Sequence, residues 1–195
     1  MRDALSLDVK MNMDAENIHQ IFDWLWSSGQ LSARDIAQLP ALGIEVVINL
    51  APPTSSNALP GEAELITKQG IAYIQIPVLW EKPQLSQLEQ FFGIMRLCEN
   101  HKVWVHCAKN MRVSAFIYLY RRLCRGEEEE AASQPMKKVW VPNKVWQAFI
   151  SHALRVHSNR SLQADGSKGR SPELKRQARR TSDNIWEQRI FGSFS

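Results

Sequence analysis

Short apolar runs alternate with amphipathic stretches along most of the chain, a spacing that separates strands from helices. Residues 16–31 are expected to deliver one short strand around Trp24 and Trp26, ended by the Ser28-Gly29 turn. Ser32 reads as the N-cap of a short helix over Ala33 to Leu39, with Asp35 near its positive end and Pro40 as its stop. Ile44 to Leu50 is rich in β-branched residues and predicts a strand. The Ala51 to Gly61 stretch, with Pro52, Pro53 and Pro60, predicts a loop, and a helix over Glu62 to Gln69 stops at Gly70. A further strand spans Ile71 to Val78. Ser86 is read as the cap of a helix over Gln87 to Asn100, with Leu88, Phe91, Phe92, Met95 and Cys98 facing inward. Val103-Trp104-Val105 is a buried strand, and a helix pattern (Val113, Phe116, Ile117, Tyr120) begins soon after it. That helix closes on Arg121, Arg122, Arg125 and Gly126, as the helix dipole favours. Asn143 to Arg155, entered through Pro142, predicts a closing helix with Val145, Trp146, Phe149, Ile150 and Leu154 apolar. Strands alternating with helices imply an α/β fold: a mostly parallel, four- to five-stranded sheet with helices on both faces and the site at the strands' carboxyl ends.

Composition refines this layout. A chain of 195 residues, 44% hydrophobic and with seven tryptophans, suits one globular domain with a full core. Residues 1–15 are read as a flexible lead, 16–157 as the domain and 158–195 as a basic, largely disordered tail. The net charge of +4 belongs to that tail: residues 160–180 hold seven Lys or Arg against Asp165 and Glu173, or +5, which leaves −1 elsewhere. The tail is therefore expected to contact an acidic partner or simply to be solvated, and nucleic acid is not the expected partner of the domain. Glu127 to Glu130 reads as a solvated acidic run. No stretch approaches the ~20 apolar residues of a membrane helix. The N-terminus lacks an apolar secretory core, and three widely spaced cysteines suit a reducing compartment, so a cytoplasmic location is expected. Cys98 and Cys124 are read as buried packing residues. His19, His101, His106, His152 and His157 are scattered, so neither a metal nor a cofactor is expected.

The chemistry concentrates at His106-Cys107-Ala108-Lys109-Asn110-Met111-Arg112. A strand end, a tight loop and a helix N-terminus aim several backbone N–H groups at one point, which suits an anion. Cys107 supplies a sulfur nucleophile that helix N-termini and cations favour as thiolate. Arg112 supplies a planar fork for two phosphate oxygens. The backbone of Ala108, Lys109, Asn110 and Met111 would hold the remaining oxygens, with Asn110 tolerating positive φ. His106 is read as ordering the loop by hydrogen bonding rather than as a base.

These residues resemble the His-Cys-five residues-Arg-Ser/Thr signature of the protein tyrosine phosphatase superfamily, in particular its small dual-specificity-like bacterial members. Only four residues separate Cys107 from Arg112, whereas Ser114 keeps the usual place of the family's hydroxyl. Ser28-Gly29-Gln30, Leu42 to Leu50 and Gly70 to Val78 follow in the family's order, and the resemblance covers roughly residues 20–155. It implies a metal-independent phosphatase acting on a phosphorylated protein or small phosphate ester through a cysteinyl-phosphate, with Ser114 assisting the sulfur as it leaves. It also implies an acid on the loop before the nucleophile. Pro77 to Pro83 contains no aspartate, so Glu81 is the candidate, with Trp80 beside it as a possible desolvating wall. Two alternatives stay open: a binding module that grips phosphate without turnover, and a rhodanese-like sulfurtransferase, whose loop has the same length.

Overall fold

The computed structural model of the protein describes residues 12–168, with side chains to residue 158. The elements are β1 (His19–Phe22), β2 (Leu25–Ser28), α1 (Ala33–Gln38), β3 (Val46–Asn49), α2 (Glu62–Thr67), β4 (Ala72–Gln75), α3 (Leu85–Leu97), β5 (Val103–His106), α4 (Met111–Leu123), α5 (Glu129–Val139) and α6 (Lys144–Lys168). The chain divides into two units after Ala153, within α6, and the sheet lies in the first. The five strands run in the order β1-β2-β5-β3-β4. β1 is antiparallel to β2, and all other pairs are parallel. This is the α/β, mostly parallel architecture that the strand and helix spacing implies.

Register decides which side chains share a face. Trp26, Trp104, Val47 and Tyr73 are cross-strand neighbours. With Ile36 and Leu39 from the α1 region and Ile66 from α2, they build one layer of core. Because strand side chains alternate, Ser28, His106 and Asn49, two residues further along, face the same side. α4 lies in the other layer. Its Phe116 meets Phe91 of α3 and Trp146 and Phe149 of α6.

Several expectations need correction. The segment around Trp24 and Trp26 is a hairpin of two strands, not one. β2 is fully buried, so it shows no period-two alternation that would separate it from the half-buried edge strand β1. α3 starts after Gln84 rather than at Ser86: the Gln84 N–H donates to the Gln87 side chain at 3.1 Å. α5 has no counterpart in the sequence pattern, and Pro135 inside it argues against a helix on sequence alone. Its acidic first turn and basic last turn match the helix dipole. The acidic run is not simply solvated, since Glu127 pairs with Arg121 at 2.6 Å and Glu129 accepts from Tyr118 at 2.6 Å. α4 is buried from Arg112 through Tyr120 instead of along one stripe, because α5 and α6 cover its outer side. Cys98 is buried as expected, whereas Cys124 is exposed just past the end of α4, and both are free. α6 runs to Lys168 rather than ending at Arg155, as no Gly or Pro interrupts it before Gly166. The remainder of the basic tail and most of the N-terminal lead lie outside the described residues.

Candidate active site

β5 sits between β2 and β3, so the chain crosses from one side of the sheet to the other at its carboxyl end. Such switch points are where open parallel sheets bind ligands. Ser28 and Asn49 flank His106 in register there, and Cys107 follows as the strand stops.

The loop after Cys107 is held through its carbonyls. Ala108 O accepts from Gln30 N at 3.2 Å and Asn57 Nδ2 at 2.9 Å. Lys109 O accepts from Asn17 Nδ2 at 3.1 Å. A planar peptide turns the next N–H the opposite way, so the Lys109 N–H points away from the Gln30 and Asn57 donors that Ala108 O meets. Asn110 closes the loop with φ 64° and ψ −1° as the N-cap of α4. Its side chain donates to Asn17 O at 2.6 Å and Ser27 Oγ at 3.1 Å. The first bond of α4 runs from Ser114 N to Asn110 O at 2.9 Å. The N–H groups of Met111, Arg112 and Val113 are thus left at the helix N-terminus without intrahelical acceptors.

Beside this helix start is a hollow of about 380 Å³ lined by Cys107, Ala108, Lys109, Met111 and Arg112 from the loop. Glu16, Ser56, Asn57 and Trp80 complete its wall. Arg112 is nearly buried, and its Nε has no acceptor among the described residues. Its guanidinium lies 5.5 Å from the centre of the Trp80 ring, a cation–π contact that shields it from water. Leaving a buried guanidinium nitrogen unpaired costs on the order of 1–3 kcal/mol, which an oxyanion in the hollow would offset. The shortened loop therefore brings Cys107 and Arg112 to the wall of one hollow.

Other expected site residues lie elsewhere. His106 does not order the loop by hydrogen bonding. Its ring is fully buried on the α2 side, neither nitrogen is hydrogen-bonded among the described residues, and Nε2 is 3.5 Å from Glu62 Oε1. Burial holds the imidazole below its ordinary pKa, although the Glu62 charge opposes this, so the contact is made by a neutral ring. Glu62 accepts from Asn49 Nδ2 at 2.8 Å, Tyr73 Oη at 2.9 Å and the Gln30 amide. These donors make its burial tolerable. Burial, with Glu62's charge, pushes the Tyr73 hydroxyl up. Ser114 Oγ donates to Met111 O at 3.0 Å and accepts from Trp140 Nε1 at 3.1 Å, so it serves the α4 and α5 packing rather than the thiol. Glu81 is exposed and is not among the residues lining the hollow. Glu16, Asn17, Ser56 and Asn57 had no sequence signal, because all four lie in irregular segments without periodicity.

A family model described as a DSP-PTPase phosphatase fused to NAD+ kinase matches residues 9–160. A solved structure of a DUF442 protein from Shewanella putrefaciens, described as a phosphatase, is 33% identical with a TM-score of 0.66, covering 74% of this chain and 95% of its own. The core catalytic domain of the PP-IP phosphatase SIW14 from S. cerevisiae, in complex with citrate, shares the fold at 15% identity and a TM-score of 0.59, covering 75% of this chain and 93% of its own. P. aeruginosa TpbA in complex with pTyr does so at 16% identity and 0.53, covering 62% and 72%. No curated protein matches the chain. Among the described residues no helix is long and apolar enough to cross a membrane. With the family model spanning residues 9–160 and the Shewanella protein alike over most of both chains, the chain belongs to the DSP-PTPase phosphatases, within the protein tyrosine phosphatase superfamily.

Proposed function

We propose that this phosphatase hydrolyses phosphate monoesters on Cys107 through a cysteinyl-phosphate, taking the phosphate from an aromatic ring, as in phosphotyrosine, or from a small aryl ester. One observation carries the reading: Cys107 and Arg112 line one hollow at the N-terminus of α4, and Arg112 Nε has no hydrogen-bond partner among the described residues. Arg112 grips two phosphate oxygens, and the loop amides take the charge that builds on the third. The thiolate attacks phosphorus and the ester oxygen leaves with its electron pair. Water then attacks the phosphorus and returns the thiolate. The Trp80 ring supports the aromatic preference as a flat wall beside the phosphate. The fold relative TpbA, whose structure holds pTyr, supports the same preference.

Rapid mixing with para-nitrophenyl phosphate tests this. Wild type should release a burst of nitrophenolate of about one equivalent, and Cys107→Ser should release none while still binding vanadate. Vanadate binding by wild type without any burst or turnover would select the binding module instead. Cyanide-dependent consumption of thiosulfate would select the sulfurtransferase.

A further inference from the structure

We infer that Glu16 is the carboxyl group that serves the ester oxygen, as acid in the first step and base in the second. The inference rests on the Cys107 mechanism above and adds the proton carrier that mechanism lacks. Among the described residues lining the hollow, Glu16 is the only Asp or Glu. The loop that would ordinarily supply an acid contributes Trp80 instead. Trp80 is pinned there: its carbonyl accepts from Trp146 Nε1 at 3.1 Å, and its ring meets Trp140, Trp146 and the Arg112 guanidinium.

Glu16 is tied to the loop that carries the nucleophile. Its carbonyl accepts from Gly29 N at 2.7 Å. Its neighbour Asn17, at φ 54°, donates to Lys109 O at 3.1 Å and accepts from Asn110 Nδ2 at 2.6 Å. The approach is close enough that a Cβ at Gly29 would stand 3.2 Å from both Glu16 O and Ala108 O. The carboxylate thus rides on a strap fixed to the Cys107 loop rather than on a separately moving lid.

The proton balance closes without another reactant. As sulfur bonds to phosphorus, the P–O ester bond breaks and the leaving oxygen takes the proton of the Glu16 carboxylic acid. The resulting carboxylate then takes a proton from water as the water oxygen attacks phosphorus. The P–S bond breaks, the thiolate leaves with its electron pair, and inorganic phosphate departs.

The test compares Glu16→Gln, Glu81→Gln and wild type on phenyl phosphate, whose leaving oxygen needs a proton, and on para-nitrophenyl phosphate, whose leaving anion is stable. Glu16→Gln should lower kcat/KM on phenyl phosphate about 100- to 1,000-fold, lower it far less on the nitrophenyl ester, and flatten the limb where wild-type rate falls as pH rises. Glu81→Gln should not reproduce that leaving-group dependence. The inference is overturned if Glu81→Gln shows this pattern instead, or if Glu16→Gln affects both esters equally. A wild type that turns over by burst, with Glu16→Gln unaffected, sinks this inference alone. Absence of wild-type turnover on both esters sinks the cysteine mechanism with it.

Discussion

Asn110 stands in left-handed backbone at the point where the loop becomes α4, and its side chain holds Asn17 and Ser27. Two functions meet in one residue, and substitution separates them. Asn110→Ala should cost about 2–4 kcal/mol, from the positive φ and two lost hydrogen bonds. Asn110→Gly removes the backbone penalty and should cost less, and urea unfolding of both variants checks the order. Arg112→Lys keeps the charge but loses the planar fork. It should lower kcat about 100- to 1,000-fold, the usual loss for one transition-state donor, as steady-state kinetics would show. The tolerance of Asn110 for positive φ was legible in the sequence, because few residue types accept it. The directions of His106 and Ser114 were not. One is set by strand register against Asn49 and Ser28, the other by the phase of α4 against Trp140, and neither is written in local spacing.

The elements around the hollow explain how a short loop stays open. Trp80, Trp140 and Trp146 pack their rings within 5.2 to 6.0 Å of one another. Through Trp80 they brace the guanidinium of Arg112. Trp146→Phe keeps most of that packing but deletes the hydrogen bond to the Trp80 carbonyl. It should cost about 1 kcal/mol of stability and lower kcat/KM by freeing Trp80, and thermal melts beside kinetics separate the two effects. The α1 cap was readable, since Ser32 and Asp35 make reciprocal bonds of 3.1 and 2.9 Å. α5 was not, since Pro135 disguises a helix whose stability comes from packing on α4.

At the scale of the whole molecule, the alternation of strands and helices gave away the parallel sheet, but not the strand order that buries β5 between β2 and β3. That order places His106 in the interior with Glu62. Its imidazole is held below the ordinary value of 6.5, so the folded protein resists protonation where the unfolded chain accepts it. Stability is full above the unfolded pKa and is lost as pH falls below it, at a limiting slope of about 1.4 kcal/mol per pH unit. Denaturant unfolding across pH 5 to 8 should show this fall (about one proton's worth), and His106→Asn should remove that share of the slope.

In the proposed reaction, phosphate passes through the Cys107 sulfur of the contracted loop. Acid quenching during turnover of a radiolabelled aryl phosphate, followed by peptide mapping, reads it directly. Label bound covalently to the Cys107 peptide, and absent from Cys107→Ser, is the predicted result. Steady hydrolysis by wild type with no labelled peptide at any quench time would contradict it.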